Sequence, residues 1–249
     1  MKIEEYISSL PESIITGEEI QIQDDSIRDV FRLAGLGKGD TFYHLGCGTG
    51  NGIEIALKEF GVKKAVGIDS DVDKILQTEE IAKLENSEFR CQDILESDLS
   101  DASVILFWFS DTGIIESMLE KFMKLKNCRI VTIFDPLPGF LPSKVDFPYL
   151  MFQTPLKKAK SLKEQLIAIF ETECIDFSTA WEHAERYTKA VGSPDAGNDR
   201  FLTILQTLLI WINAKNLGLS CTDEIPAPIK NYMEIMKNFF GIEIKHLIK

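Results

Sequence analysis

His44-Leu45-Gly46-Cys47-Gly48-Thr49-Gly50-Asn51-Gly52 is the stretch that decides how this chain folds. The apolar run Thr41–Leu45 reads as a strand. Behind the glycines, Ile53, Ala56, Leu57 and Phe60 recur at helical spacing and stop at Gly61. A glycine turn between a strand and a helix lets a ligand lie against bare backbone. The spacing is G-x-G-x-G, whereas a dinucleotide fingerprint needs G-x-G-x-x-G. Counted from Gly46 the third glycine of that fingerprint falls on Asn51, and counted from Gly48 it falls on Ile53. No lysine of the triphosphate-binding kind closes the loop.

Upstream, Ser26 with Asp29 suits a helix start, and Ile27, Val30, Phe31 and Ala34 form one apolar face ending at Gly35 or Gly37. Downstream, a second strand, Ala65–Ile68, ends at Asp69. Ser70 and Asp73 then open a helix carrying Val72, Ile75, Leu76 and Ile81. A short strand, Phe89–Cys91, runs to Asp93. Ser103–Phe109 is continuously apolar, as befits a strand covered on both faces. A helix with Ile114, Ile115, Met118, Leu119 and Phe122 leads to the strand Cys128–Phe134. The Pro-rich stretch Asp135–Pro148 holds a short strand at Lys144–Asp146, and Tyr149–Thr154 reads as a closing strand. Strands alternating with helices give an α/β fold, a Rossmann-like doubly wound parallel sheet.

After Pro155 the period is helical only. Ser161 and Glu164 form a capping-box pattern, Thr179–Ala190 reads as a helix, and Gly192–Asp199 is a breaker. Phe201–Ala214 is apolar nearly all round, which predicts a buried helix. Pro228 opens a last helix with Ile229, Tyr232, Met233, Met236 and Phe240 inward and Gly241 at its end. The organisation is an acidic arm over 1–25, an α/β domain over 26–155 and an all-helical appendage over 156–249.

In open sheets, ligands lie at the carboxyl ends of the strands. Asp69, at the tip of the second strand, can accept both hydroxyls of a ribose. Asp93, at the tip of the third, can accept from an adenine amino group. A glycine floor, a ribose acid and a base acid describe a ligand that has adenosine and no polyphosphate.

This set resembles the seven-strand (class I) S-adenosylmethionine-dependent methyltransferases. The resemblance rests on Leu45-Gly46-Cys47-Gly48-Thr49-Gly50, Val66-Gly67-Ile68-Asp69, Cys91-Gln92-Asp93-Ile94 and Val104–Phe109, and it covers roughly residues 26–154. Within that superfamily, Val62-Lys63-Lys64-Ala65 before the second strand and the turn Ser100-Asp101-Ala102 are most like the archaeal protein-lysine methyltransferases. The resemblance implies S-adenosyl-L-methionine as cofactor, held by His44, Gly46, Cys47, Gly48, Thr49, Gly50, Asp69, Ser70, Asp93, Ile94 and Phe107. Two departures stand out. The family opens its glycine motif with an acid where this chain has His44; a neutral imidazole can hydrogen-bond, and a charged one would repel the sulfonium. The fourth strand ends Phe107-Trp108-Phe109-Ser110-Asp111, without the Asn/Asp-Pro-Pro-Tyr/Phe signature of amide and adenine N-methyltransferases.

Methyl transfer from a sulfonium is an in-line displacement, in which the protein mainly supplies alignment. A lysine acceptor must first lose its proton, and lowering its pKa from about 10.4 to 7 costs roughly 4–5 kcal/mol. An aromatic channel can do this by desolvation, and it also attracts the cation that forms. Phe107 and Trp108, with Asp111 after them, are the catalytic candidates, and Phe109, Phe134, Asp135 and Tyr149 lie toward the substrate. Asp111 and Asp135, just past strand tips, can position an amine. Each of these residues has a plain alternative role, as core packing for the aromatics and as turn formers for the acids.

Asp and Glu outnumber Lys and Arg by 39 to 27, for a net charge of −12. Such a field disfavours nucleic acid and suits a basic protein substrate. Seven of the acids lie in the arm over 1–25, against Lys2 alone. Five widely spaced cysteines, at 47, 91, 128, 174 and 221, read as free thiols in a reducing compartment. His44, His183 and His246 are too scattered for a metal site. Met1–Leu10 has no apolar core, and no stretch reaches the about 20 apolar residues of a membrane span, so the expectation is a cytoplasmic soluble protein. The C-terminal helices offer a surface for self-association. Two alternatives to a protein-lysine methyltransferase stay open: a small-molecule methyltransferase whose helices form a lid, and a non-catalytic module that binds the cofactor and assembles through its helices.

Overall fold

The computed structural model describes residues 22–109, 111–191 and 196–248. The acidic arm up to residue 21, Ser110 and the first half of the expected breaker at 192–199 lie outside the described residues. The chain divides into two compact units, one spanning Gln23–Ile169 and the other including Phe170–Lys249.

The first unit opens with α1 (Asp24–Ala34). It begins two residues before the expected cap, so Ser26 is buried within the helix and Asp24 and Asp25 occupy the positive first turn instead. Five parallel strands follow: β1 (Thr41–Leu45), β2 (Lys64–Asp69), β3 (Ser87–Cys91), β4 (Val104–Phe107) and β5 (Arg129–Ile133). Between them stand α2 (Asn51–Lys58), α3 (Val72–Leu76) and α4 (Thr112–Phe122). The two-residue strand β6 (Phe140–Leu141) precedes β7 (Lys144–Asp146) and β8 (Tyr149–Gln153), and β9 (Lys157–Lys158) and α5 (Leu162–Phe170) complete the run. The seven-stranded sheet has the order β3-β2-β1-β4-β5-β8-β7.

That is the expected doubly wound seven-strand sheet, and it is mixed at the β8–β7 edge. β8 runs antiparallel to β5 and to β7. The link between β7 and β8 is only Phe147-Pro148, whereas a parallel crossover needs a dozen or more residues. β4 stops at Phe107, leaving Trp108 and Phe109 beyond the strand tip. The helix after β2 is five residues long, and Ile81 lies in a separate 3₁₀ turn, Ile81–Lys83. Its cap is Asp71, not Ser70: the Asp71 carboxylate accepts from the N–H groups of Asp73 and Lys74.

The unit extends past the expected border at 155. β6 pairs with β9, and the buried Gln165 of α5 donates to the carbonyls of Leu137 and Phe140 at 2.8 and 2.7 Å. An amide that satisfies two buried carbonyls ties α5 to the sheet domain.

At the centre of β2, Gly67 is required by packing. A Cβ there would stand 2.8 Å from Phe89 and 2.9 Å from the Cys47 sulfur. Gly67→Ala is expected to cost about 2 kcal/mol by overpacking, read as a lower urea midpoint at unchanged slope; an unchanged midpoint would show that Phe89 yields freely.

The second unit contains α6 (Phe177–Val191), α7 (Ala196–Asn216) and α8 (Ala227–Phe240). α7 buries Leu208, Trp211 and Ile212, and Thr203 on it donates to Thr188 of α6 at 3.0 Å. α8 starts at Ala227 after Pro226 and ends at Gly241 in the left-handed conformation. Cys174 and Cys221 form a disulfide, with Cα atoms 4.9 Å apart. This corrects the reading of five free thiols and removes that support for a reducing compartment. Ile175 and Ser220 pair beside the bond, and Ile175 N–H donates to the Leu219 carbonyl at 2.7 Å. Pairing across 47 positions of sequence is a property of the fold, and cysteine spacing alone does not reveal it. Among the described residues no helix is long and apolar enough to cross a membrane.

Candidate functional site

The glycine loop hangs from the end of β2. The N–H groups of Gly46 and Cys47 both donate to the Ile68 carbonyl, at 2.8 and 3.0 Å. Gly46, Gly48 and Gly50 all have positive φ, at 73°, 54° and 89°, a region other residues enter only with strain. Their surroundings differ. A Cβ on Gly48 would meet nothing within 4 Å, so this glycine forms an open floor. One on Gly50 would strike Phe89 at 2.9 Å, and one on Gly46 would sit 3.0 Å from Phe109. Thr49 is part-exposed between them.

Asp69 is the organiser. One carboxylate oxygen accepts from the Gly48 N–H at 2.8 Å, and the other from the Asp71 N–H at 3.0 Å. A carboxylate offers about four lone-pair positions, so each oxygen keeps acceptor capacity at the strand tip. Asp93 caps the 3₁₀ turn Ile94–Glu96 through the Leu95 N–H at 2.8 Å and is otherwise exposed. Ser70 is exposed between the two acids, and Ile94 is buried. Open main chain with two part-used carboxylates at neighbouring strand tips fits a nucleoside's sugar and base, so the donors and acceptors suit S-adenosylmethionine. Cys47 is not reactive: burial, with the Asp69 charge nearby, pushes its thiol up to about 12.

His44 lies beneath the loop. Burial pushes its pKa down to about 4, against the opposing pull of Asp69, so the ring is neutral at pH 7. Its Nδ1 is buried without a hydrogen-bond partner and lies 2.7 Å from where a Cβ of Gly52 would be. That close approach explains the fourth glycine of the motif.

The aromatic residues separate into two groups. Phe107 is core: it stacks on Phe109 at 5.0 Å and meets Phe122 edge-on at 5.2 Å. Phe107, Trp108 and Phe109 line one shallow hollow, together with Thr132 of β5 and Asp135 just past it. Phe134 and Tyr149 do not line it. Phe134 has φ of 65° and packs edge-on to Phe147 at 5.9 Å, and Tyr149 is buried opposite Ile133. Asp111 caps α4 by accepting from the Ile114 N–H at 2.9 Å.

A residue of this hollow that the sequence reading did not single out is Thr132. Its hydroxyl oxygen is buried without a partner. The available signal was a single polar side chain in the apolar strand Ile130–Ile133. Among the described residues no cluster of His, Cys, Asp or Glu is arranged to hold a metal.

No family model matches the sequence. A protein-lysine N-methyltransferase of Saccharolobus islandicus is 30% identical over 127 residues, which are 48% of this chain and 77% of that protein. Among solved structures, an RNA methyltransferase from Salinibacter ruber, in complex with S-adenosyl-L-homocysteine, matches with a TM-score of 0.52 at 22% identity. That match covers 57% of this chain and 99% of the other, and it is a likeness of fold.

Proposed function

Since the chain belongs to the class I S-adenosylmethionine-dependent methyltransferases, the family it shares with the S. islandicus enzyme, we propose that it methylates lysine amines of basic proteins. S-Adenosylmethionine is its cofactor and supplies, when bound, a methyl group on a positively charged sulfur. The chain's own residues do the rest. Gly48 gives the cofactor unobstructed main chain, while Asp69 and Asp93 accept from its sugar and base. Neutral His44 adds no charge to oppose the sulfonium. Trp108 and Phe109, half-buried past the tip of β4, exclude water where the acceptor approaches.

The observation that carries this reading is the Asp69–Gly48 bond at the tip of β2, in a chain with that relative. The lysine acceptor draws on the relative, and the net charge of −12 favours a cationic protein over an anionic nucleic acid. The non-catalytic alternative draws on His44 standing where the family has an acid, and measurable methyl transfer would eliminate it. Incubating a mixture of basic proteins with the enzyme and S-adenosylmethionine is expected to add one or more methyl masses to lysines, read by peptide mass spectrometry. No added mass on any lysine would overturn the substrate assignment while leaving the family untouched.

A further inference from the structure

We propose that Asp135 receives the proton of the acceptor amine, with Thr132 orienting that amine at the base of the hollow beside β4. This deepens the lysine reading and rests on it. Three features of the fold converge there.

The first is the turn that aims the carboxylate. Phe134 has φ of 65°, and the Asp135 N–H donates back to the Ile133 carbonyl at 2.8 Å. A three-residue turn with positive φ at its centre is uncommon and costs strain. It is held by the Phe134 N–H donating to the Pro148 carbonyl at 2.7 Å. The second is the absence of any internal partner. Among the described residues the Asp135 carboxylate makes no hydrogen bond or ion pair, and burial alone raises its pKa. A half-buried carboxylate without a cation is costly unless a ligand provides one. The third is the Thr132 hydroxyl, buried and unpartnered on the same hollow. The other walls are Phe107, Trp108 and Phe109, Ile115 of α4, and Pro136 and Leu137, none of which titrates. Asp135 is therefore the one titratable group facing this hollow among the described residues.

The acceptor enters as an ammonium and gives a proton to the Asp135 carboxylate, leaving a neutral amine and a carboxylic acid. The amine lone pair forms the new C–N bond to the methyl carbon as the C–S bond breaks, its electron pair going to sulfur. The product is a methylated ammonium and a neutral thioether. The raised affinity of Asp135 for a proton suits it to the receiving role.

The test uses poly-L-lysine as acceptor and the whole chain with S-adenosylmethionine. Asp135→Asn is expected to lower kcat/KM about 100-fold at pH 7 and to recover most of it near pH 10, where free lysine deprotonates unaided. Thr132→Val is expected to raise KM about tenfold with Thr132→Ser close to the parent. S-Adenosylhomocysteine binding, measured by calorimetry, should be unchanged in all three variants. If the parent methylates poly-L-lysine and Asp135→Asn shows the parent's pH profile, the assignment of Asp135 is overturned and the lysine reading stands. A parent that methylates neither poly-L-lysine nor basic proteins overturns both.

Discussion

Asp69→Ala is expected to weaken S-adenosylmethionine binding about 100-fold, or about 2.7 kcal/mol. The residue acts twice. On the proposed reading it offers acceptors to the ribose, and it fastens the glycine loop by taking the Gly48 N–H at 2.8 Å and the Asp71 N–H at 3.0 Å. Hydrogen bonds to a charged group contribute about 1.5–3 kcal/mol each, so loss of the ligand contacts alone accounts for the figure. Asp69→Asn keeps one acceptor oxygen and should lose about tenfold. Calorimetric titration of both variants, with circular dichroism confirming the fold, reads the effect. An Asp69→Ala affinity within about threefold of the parent would mean that the pocket at the tips of β1 and β2 does not hold the nucleoside.

How much of this was visible in the residues depended on whether the signal was local. The turn at Gly46, Gly48 and Gly50 and the place of Asp69 at a strand tip were legible because a strand–turn–helix fixes where positive φ is needed. The two capping expectations at Ser26 and Ser70 both failed by a shift of the helix start. The helix starts before the serine in one case, at Asp24 after Gln23 with no side-chain cap, and the cap falls on the next residue, Asp71, in the other; a Ser-x-x-Asp pattern does not rank neighbouring starts. The antiparallel β8 was within reach of sequence, since two residues between Asp146 and Tyr149 allow a hairpin and nothing else. The disulfide and Thr132 were not. One depends on the path of the chain across a sequence separation of 47, and the other on which faces of β5 and β4 meet. The acids past the strand tips divided by their turns. Asp111 points its carboxylate at a helix N–H, whereas the turn at Phe134 leaves that of Asp135 without a partner among the described residues.

His44 gives the chain a pH dependence of definite sign. Its ordinary pKa is about 6.5 and burial brings it to about 4. Between those values the unfolded chain binds a proton that the folded one refuses, so stability rises with pH. The contribution is complete above about pH 7 and falls as pH drops through 6.5 toward 4, reaching roughly 3 kcal/mol in total, of which about 2 is lost by pH 5. His183 is shifted in the same direction, also mainly by burial, so the measurement must be a difference between two proteins. Urea unfolding of the parent and of His44→Asn at pH 8 and pH 5 should show the variant losing about 2 kcal/mol less on acidification. Parallel losses would mean that the ring protonates where it lies. The same burial bears on the cofactor. A ring of ordinary pKa would become cationic beneath the sulfonium site near pH 6, whereas His44 stays neutral. Cofactor affinity should therefore be flat from pH 8 to about pH 5.5, and a decline centred near 6.5 would show that imidazole charge reaches the pocket. The family's acid favours the cofactor by charge; here the loop is held by Asp69 instead, and the position of the acid is filled by a group that only has to remain uncharged.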